Sequence, residues 1–180
     1  IAAGISGKTY RMDMTVSSER AAQVVFVMIA VAFLILEYLF LNDRFDVFYV
    51  AKASSRDLHT GYKMTAIWSS MEGSLLLWSL VLSAYTFFAV RKMRQMRGPL
   101  ASYATAVMAA NQVFFLSIVL FLENPFLLIS DVENVPVGFI PPDGQGMNPL
   151  LVHPAMAIHP PILYGGFIGF VVPFAFAIGA

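Results

Sequence analysis

The chain has 180 residues, 58% of them hydrophobic, and a mean hydropathy of +0.72. Charged residues make up 12%, about half the share usual in soluble domains, and they balance to a net charge of zero. This composition describes an integral membrane protein, gives no support to a nucleic-acid partner, and, with no cysteine present, excludes disulfides and thiolate chemistry within the chain.

The chain opens at Ile1-Ala2-Ala3-Gly4 without an initiator methionine or a signal peptide. It closes in an apolar run to Ala180. Both ends read as cut, so residues 1–180 are expected to form a single transmembrane region within a longer polytopic protein. Residues 1–20 are polar, with Lys8, Arg11 and Arg20, and Ser17-Ser18-Glu19-Arg20 suits a helix start. An apolar run over about 21–41 is long enough to cross a bilayer as a helix at about 1.5 Å per residue. Glu37 lies one turn from its end and is read as interfacial.

A mixed polar loop follows from Asn42 to Lys63. Within it, Phe45 to Val50 alternates weakly and suits a short strand or helix. A second span is expected over about 64–90, closed by the basic run Arg91-Lys92-Met93-Arg94-Gln95-Met96-Arg97 and by the turn signal Gly98-Pro99. A third span covers about 100–122, with Asn111 and Gln112 near its middle. Phe126 to Ile158 is a long loop rich in Pro, Gly, Asp and Asn, of the kind that is often functional. The fourth span is expected over about 160–180, with Pro160 and Pro161 in its first turn, Gly165 and Gly169 as a small-residue pair, and a kink at Pro173. The fold class is therefore all-α: a polytopic membrane helix bundle of about four transmembrane helices with a long outward loop before the last. The dense cations at 91–97 put that side in the cytoplasm and the two longer loops outside.

Several residues stand out chemically. His159, stiffened by the following prolines, sits at the predicted membrane boundary, where neutral imidazole is a good ligand for iron, zinc or copper. His153 lies six residues earlier and is a weaker second candidate for the same site. No acidic residue adjoins them, which disfavours a zinc site. Glu72 is read as an in-span carboxylate two to three turns from the outer end, and Trp68 as its i,i+4 neighbour on one helix face; both are in-span binding candidates. Trp78 suits the core. Asn111 and Gln112 are read as amides bonded to neighbouring helices, and His59 as a solvated loop histidine.

Trp68-Ser69-Ser70-Met71-Glu72-Gly73-Ser74-Leu75-Leu76-Leu77-Trp78, Glu123-Asn124-Pro125-Phe126, Asn148-Pro149-Leu150-Leu151 and Ile158-His159-Pro160-Pro161-Ile162-Leu163-Tyr164, in this order and spacing, resemble the N-terminal part of CcmF-type cytochrome c haem lyases. Val47-Phe48-Tyr49-Val50-Ala51 is similar to the same family. The resemblance covers most of residues 20–180. It implies a haem-handling protein of the bacterial inner membrane (or the mitochondrial inner membrane) that takes haem from a periplasmic haem chaperone. The haem is then joined to the paired cysteines of apocytochrome c, with a thiol-reducing partner and other subunits of the haem lyase complex. His159 corresponds to the first of two outward-facing axial ligands of the haem iron. The second ligand, a tryptophan-rich segment and the histidines of the family's haem b lie outside this chain. The parent is then an enzyme and the fragment alone inactive. The chain departs from the family at Ser69, Ser70 and Met71, where glycine, asparagine and histidine are common, and at His153, where aspartate is usual. A polytopic transporter fragment, using Glu72 and the paired amides, and a non-catalytic membrane assembly scaffold are the competing readings.

Overall fold

A computed structural model describes residues 12–93 and 99–180. The polar start with Lys8 and Arg11, and the residues from Arg94 to Gly98, lie outside the described residues. The helices are α1 (Met12–Leu41), α2 (Phe48–Ala53), α3 (Thr60–Ala66), α4 (Met71–Met93), α5 (Pro99–Phe121), α6 (Ile129–Val132), α7 (Ala155–Gly169) and α8 (Val171–Gly179), with a 3-10 turn at Pro149–Leu151. The described residues contain no β-strand, and one isolated antiparallel bridge joins Val47 to Leu128. Four segments are long and apolar enough to cross a membrane: Val16–Leu41, Met71–Met93, Pro99–Phe121 and Ala155–Gly179. The chain is thus all-α and polytopic, as its composition predicts.

Three boundaries differ from the sequence reading. α1 is already helical at Met12, so Ser17 and Ser18 lie within it and do not cap it. The second span begins at Met71, not near 64, because the chain leaves α3 after Ala66 and turns through residues 67–70 before α4 starts. The fourth begins at Ala155, so Pro160 and Pro161 lie inside α7 and not in its first turn. The kink expected near Pro173 is present as a break at Phe170. Pro173 has no N–H for the Gly169 carbonyl four residues back, and the chain restarts as α8.

The described residues fall into two compact units. The first draws on residues up to 30, on 78–116 and on 163–180. Its core holds Val90, Met93, Ala101, Ala104, Met108 and Ala175. Small residues let elements approach closely here: a Cβ on Gly179 would lie 3.1 Å from the Ala104 backbone nitrogen. Trp78 packs between Phe115 and Tyr164, with ring centroids 5.5 and 5.3 Å apart, as a core aromatic. The ring of Tyr85 lies beside Gly165 and Gly169, and its hydroxyl donates to the Gly165 carbonyl at 3.0 Å.

The second unit, residues 31–77 and 117–162, gathers both long loops. Phe45 to Val50 supplies both a bridge and a helix. Phe48 N–H donates to the Leu127 carbonyl and Ile129 N–H to the Asp46 carbonyl, each at 2.9 Å, and α2 follows at once. α1 ends where Asp43 takes a left-handed backbone, φ 50°, a conformation that aspartate tolerates better than most residues. The Lys63 ammonium, almost fully buried, donates to both Asp43 carboxylate oxygens at 2.6 and 2.7 Å, fixing α3 to the end of α1. The later loop lies against α2: Gln145 N–H donates to the Ala51 carbonyl at 2.7 Å and Gly146 N–H to the Ser54 carbonyl at 2.9 Å. Gly144 is required there, since a Cβ would run into the Ser54 carbonyl oxygen.

Gly73, on the first turn of α4, faces the same demand: a Cβ would overlap the Ile67 carbonyl oxygen and stand 2.9 Å from the Tyr49 hydroxyl. Gly73→Ala should lower stability by about 1–3 kcal/mol, the usual cost of overpacking. A denaturation midpoint for the detergent-solubilised variant equal to that of the parent contradicts this close packing.

Candidate functional site

The site is built on the four-residue turn between α3 and α4. Ile67 is fully buried, and the buried Tyr49 hydroxyl donates to its carbonyl at 2.7 Å and to that of Ala66 at 3.2 Å. Burial, and secondarily the Glu72 charge, pushes the Tyr49 phenol well above its ordinary range, so it stays a protonated donor. The turn tightens further through Ser69, whose hydroxyl donates to the Ala66 carbonyl at 2.7 Å, and Ser74, whose hydroxyl donates to that of Trp68 at 3.1 Å.

Glu72 is not two to three turns deep in a span. It sits in the first turn of α4, where unpaired N–H groups and the helix dipole favour a carboxylate. Lys52 donates to its Oε1 at 2.8 Å and the Ser70 hydroxyl to its Oε2 at 2.7 Å. Trp68 lies in the turn before α4, so the two residues do not share a helix face as expected. The Trp68 indole N–H points instead to the other loop and donates to the Met156 carbonyl at 2.8 Å.

That carbonyl is on the first turn of α7. His153 precedes the helix, and its Nδ1 accepts from the Ala155 N–H at 3.1 Å, capping the helix end. His159 is exposed. Both histidines line one pocket of about 240 Å³, with Leu150, Leu151, Met156 and Pro160 among its walls. The pocket is mostly apolar and offers two imidazoles and the Met156 thioether as metal donors. Among the described residues no three His, Cys, Asp or Glu side chains cluster to hold a bare metal ion. This donor set suits an iron whose remaining ligands come with it, as in haem, and does not suit a zinc centre. Glu72 is not a wall of this pocket. Its contribution reaches the histidines only through the turn and Trp68.

The remaining candidates separate cleanly. His59 is exposed, and its Nδ1 caps α3 by accepting from the Gly61 N–H at 3.1 Å. Asn111 donates to the Val107 carbonyl of its own helix at 2.9 Å, not to a neighbouring helix. Gln112 is buried with neither amide atom partnered among the described residues, beside a cavity of about 420 Å³ that Ser83, Thr86 and Thr105 also line. Glu37 has one carboxylate oxygen buried and unpartnered among the described residues. Tyr49, marked in the sequence only through the family-like run at 47–51, is one residue that holds the site together. The charged Lys52, Lys63 and the pair Arg56 and Asp143, which the sequence did not flag as site residues, are the others. Asp143 Oδ1 accepts from the Arg56 N–H at 2.9 Å and the Gly144 N–H at 2.7 Å, and Arg56 Nε donates to the Pro142 carbonyl at 2.9 Å. The one signal available was opposite charge in two loops, which names no partners.

An all-α, polytopic membrane protein that presents histidines in a loop-built pocket is the class these features define. Residues 68–180 match the family described as cytochrome C assembly protein. CcmF, the cytochrome c-type biogenesis protein of Escherichia coli, is 38% identical over 167 residues, which is 93% of this chain and 25% of that protein. CcmF of Pseudomonas aeruginosa is 40% identical over 155 residues, 86% of this chain and 22% of that one. The solved structure of cytochrome c heme lyase CcmF superposes with a TM-score of 0.79 at 28% identity, covering 99% of this chain and 26% of that chain. The chain belongs to the cytochrome c assembly protein family, and its relatives are of the CcmF type. It spans about a quarter of the length of those relatives.

Two outcomes test the supporting network. In a double-mutant cycle, Lys52→Met and Glu72→Gln should couple by about 0.5–1 kcal/mol, since the lysine is half exposed and water weakens the pair. Strict additivity contradicts a Lys52–Glu72 bond. The two backbone N–H groups of Arg56 and Gly144 hold the Asp143 carboxyl below its ordinary value. A depressed carboxyl contributes stability above its ordinary titration range and loses it as pH falls through that range and below. Proteolysis of the 140–146 loop should therefore accelerate on acidification, and Asp143→Asn should remove that step while raising cleavage at neutral pH.

Proposed function

We propose that this chain is the haem-receiving part of a cytochrome c haem lyase, one transmembrane region of a protein about four times its length. The observation that carries the reading is the exposed imidazole of His159, set at an apolar pocket by a proline-stiffened helix, in a chain of the cytochrome c assembly protein family. His159 supplies one axial ligand to the iron of incoming haem. The pocket's apolar walls face the porphyrin. When bound, the haem supplies the vinyl groups that join apocytochrome thiols, and this chain contributes orientation and water exclusion.

His153 is the weaker ligand. With its Nδ1 accepting a backbone hydrogen bond, the neutral ring keeps its proton on Nε2, and neither nitrogen offers a free lone pair to iron. Glu72 and Trp68 support the site without touching the cargo. A second histidine, a tryptophan-rich segment and any resident haem b belong to the rest of the protein. The loops face outward, where a haem chaperone delivers, and the basic run at 91–97 faces the cytoplasm of a bacterial inner membrane. Apocytochrome c, its thiol-reducing partner and further lyase subunits assemble around the full-length protein.

In that full-length protein, His159→Ala should abolish the Soret band of haem captured from the donor and stop cytochrome maturation. His153→Ala should keep the band while loosening the helix start. A wild-type spectrum with normal maturation in His159→Ala would sink the assignment.

A further inference from the structure

The two prolines of α7 carry a consequence for Trp68. In an α-helix the carbonyl of residue i accepts from the N–H of residue i+4. The carbonyl of Met156 would pair with residue 160 and that of Ala157 with residue 161. Both positions are proline, and proline has no N–H. The Met156 carbonyl is therefore an orphan acceptor, one turn from His159. The Trp68 indole N–H occupies it at 2.8 Å.

Met156 and His159 lie three residues apart on one helix, and both line the same pocket. Trp68 itself is fixed from behind. Its turn is held by the Tyr49 hydroxyl on the Ile67 carbonyl and by the Ser74 hydroxyl on Trp68's own carbonyl. Gly73 lets α4 close against the same Ile67 carbonyl. The indole is thus a rigid strut from one loop to the first turn of the helix that bears the histidine.

We propose that Trp68 is the positioning residue for His159: its indole N–H replaces the helical donor that Pro160 removes, and so sets the orientation of the His159 ring towards haem iron. The proposal rests on the haem-receiving reading and adds a residue to it that touches neither iron nor porphyrin. The prolines make the arrangement useful. They free a carbonyl that an element outside the helix can grip, so the ring's placement is dictated by the α3–α4 turn and not by α7 alone.

The test is a cycle in the full-length protein, titrated with ferric haem and read by the Soret maximum, haem affinity and unfolding midpoint. Trp68→Phe keeps the aromatic bulk and loses the donor. It should weaken haem binding roughly three- to tenfold, in line with one lost hydrogen bond, and shift the Soret maximum. Pro160→Ala restores an N–H at position 160 that can satisfy the Met156 carbonyl within the helix. In that background Trp68→Phe should change affinity less than twofold. This second arm also covers a Trp68→Phe protein that folds poorly, because Pro160→Ala should recover its folding and its spectrum together. An equal loss of affinity from Trp68→Phe in both backgrounds overturns the proposal. So does a Trp68→Phe protein with wild-type affinity and spectrum. His159→Ala, run alongside, separates the two levels: if it leaves the spectrum unchanged, the haem-receiving reading itself fails; if it abolishes the band while Trp68→Phe does not alter it, only the strut fails.

Discussion

The buried hydroxyl of Tyr49, bonded to the carbonyl of Ile67, is the contact on which the loop-bearing unit turns. Residues 67–70 leave one helix and enter another, and a turn of this kind exposes carbonyls that need a donor wherever water is excluded. Tyr49 supplies that donor from α2. Its burial keeps the phenol protonated and therefore able to donate. Glu72 and Lys52 tie α4 to α2 from the side, and Gly73 removes the one atom that would block the approach. With the turn held, Trp68 has a fixed direction.

The sequence disclosed the spans and concealed the turn. Apolar runs of about 20 residues identify membrane helices by length alone, and all four were legible in that way. Residues 64–70 are apolar enough to be taken as the start of a span, since composition cannot distinguish a buried turn from a buried helix. Only Ser69-Ser70 hinted at a break. The prolines misled in a similar manner. Proline is most at home in a first turn, so Pro160 and Pro161 set the expected start of the fourth helix too late. In the protein they are tolerated deeper inside, because at Met156 a tryptophan from elsewhere in the chain takes over the missing donor's role.

The histidines show the same limit. Their number and the proline context were visible, and the placing of both at one pocket followed from nearness in sequence. The division between them was not visible. His153 is occupied as a cap and His159 is exposed, and that depends on which backbone N–H groups lie beside each ring. Ion pairs such as Lys52–Glu72 and Lys63–Asp43 join residues about 20 positions apart, and a charge pattern states no pairing at that distance. The family resemblance, carried by residues 68–78 and 148–164, selected His159 where the residues alone left a choice.

The ion pairs of the loop unit also bear on how a visitor meets this surface. Lys52, Lys63 and Arg44 are each engaged by a carboxylate of the same unit, and Arg56 reaches over the ring of Phe45 while its backbone holds Asp143. The three paired cations project little field of their own beyond a Debye length. The loop unit as a whole carries nine carboxylates against four cations, so it repels an anionic molecule at long range, and rising ionic strength weakens that repulsion. The acidic groups of an approaching anion must find their counter-charges on some other surface.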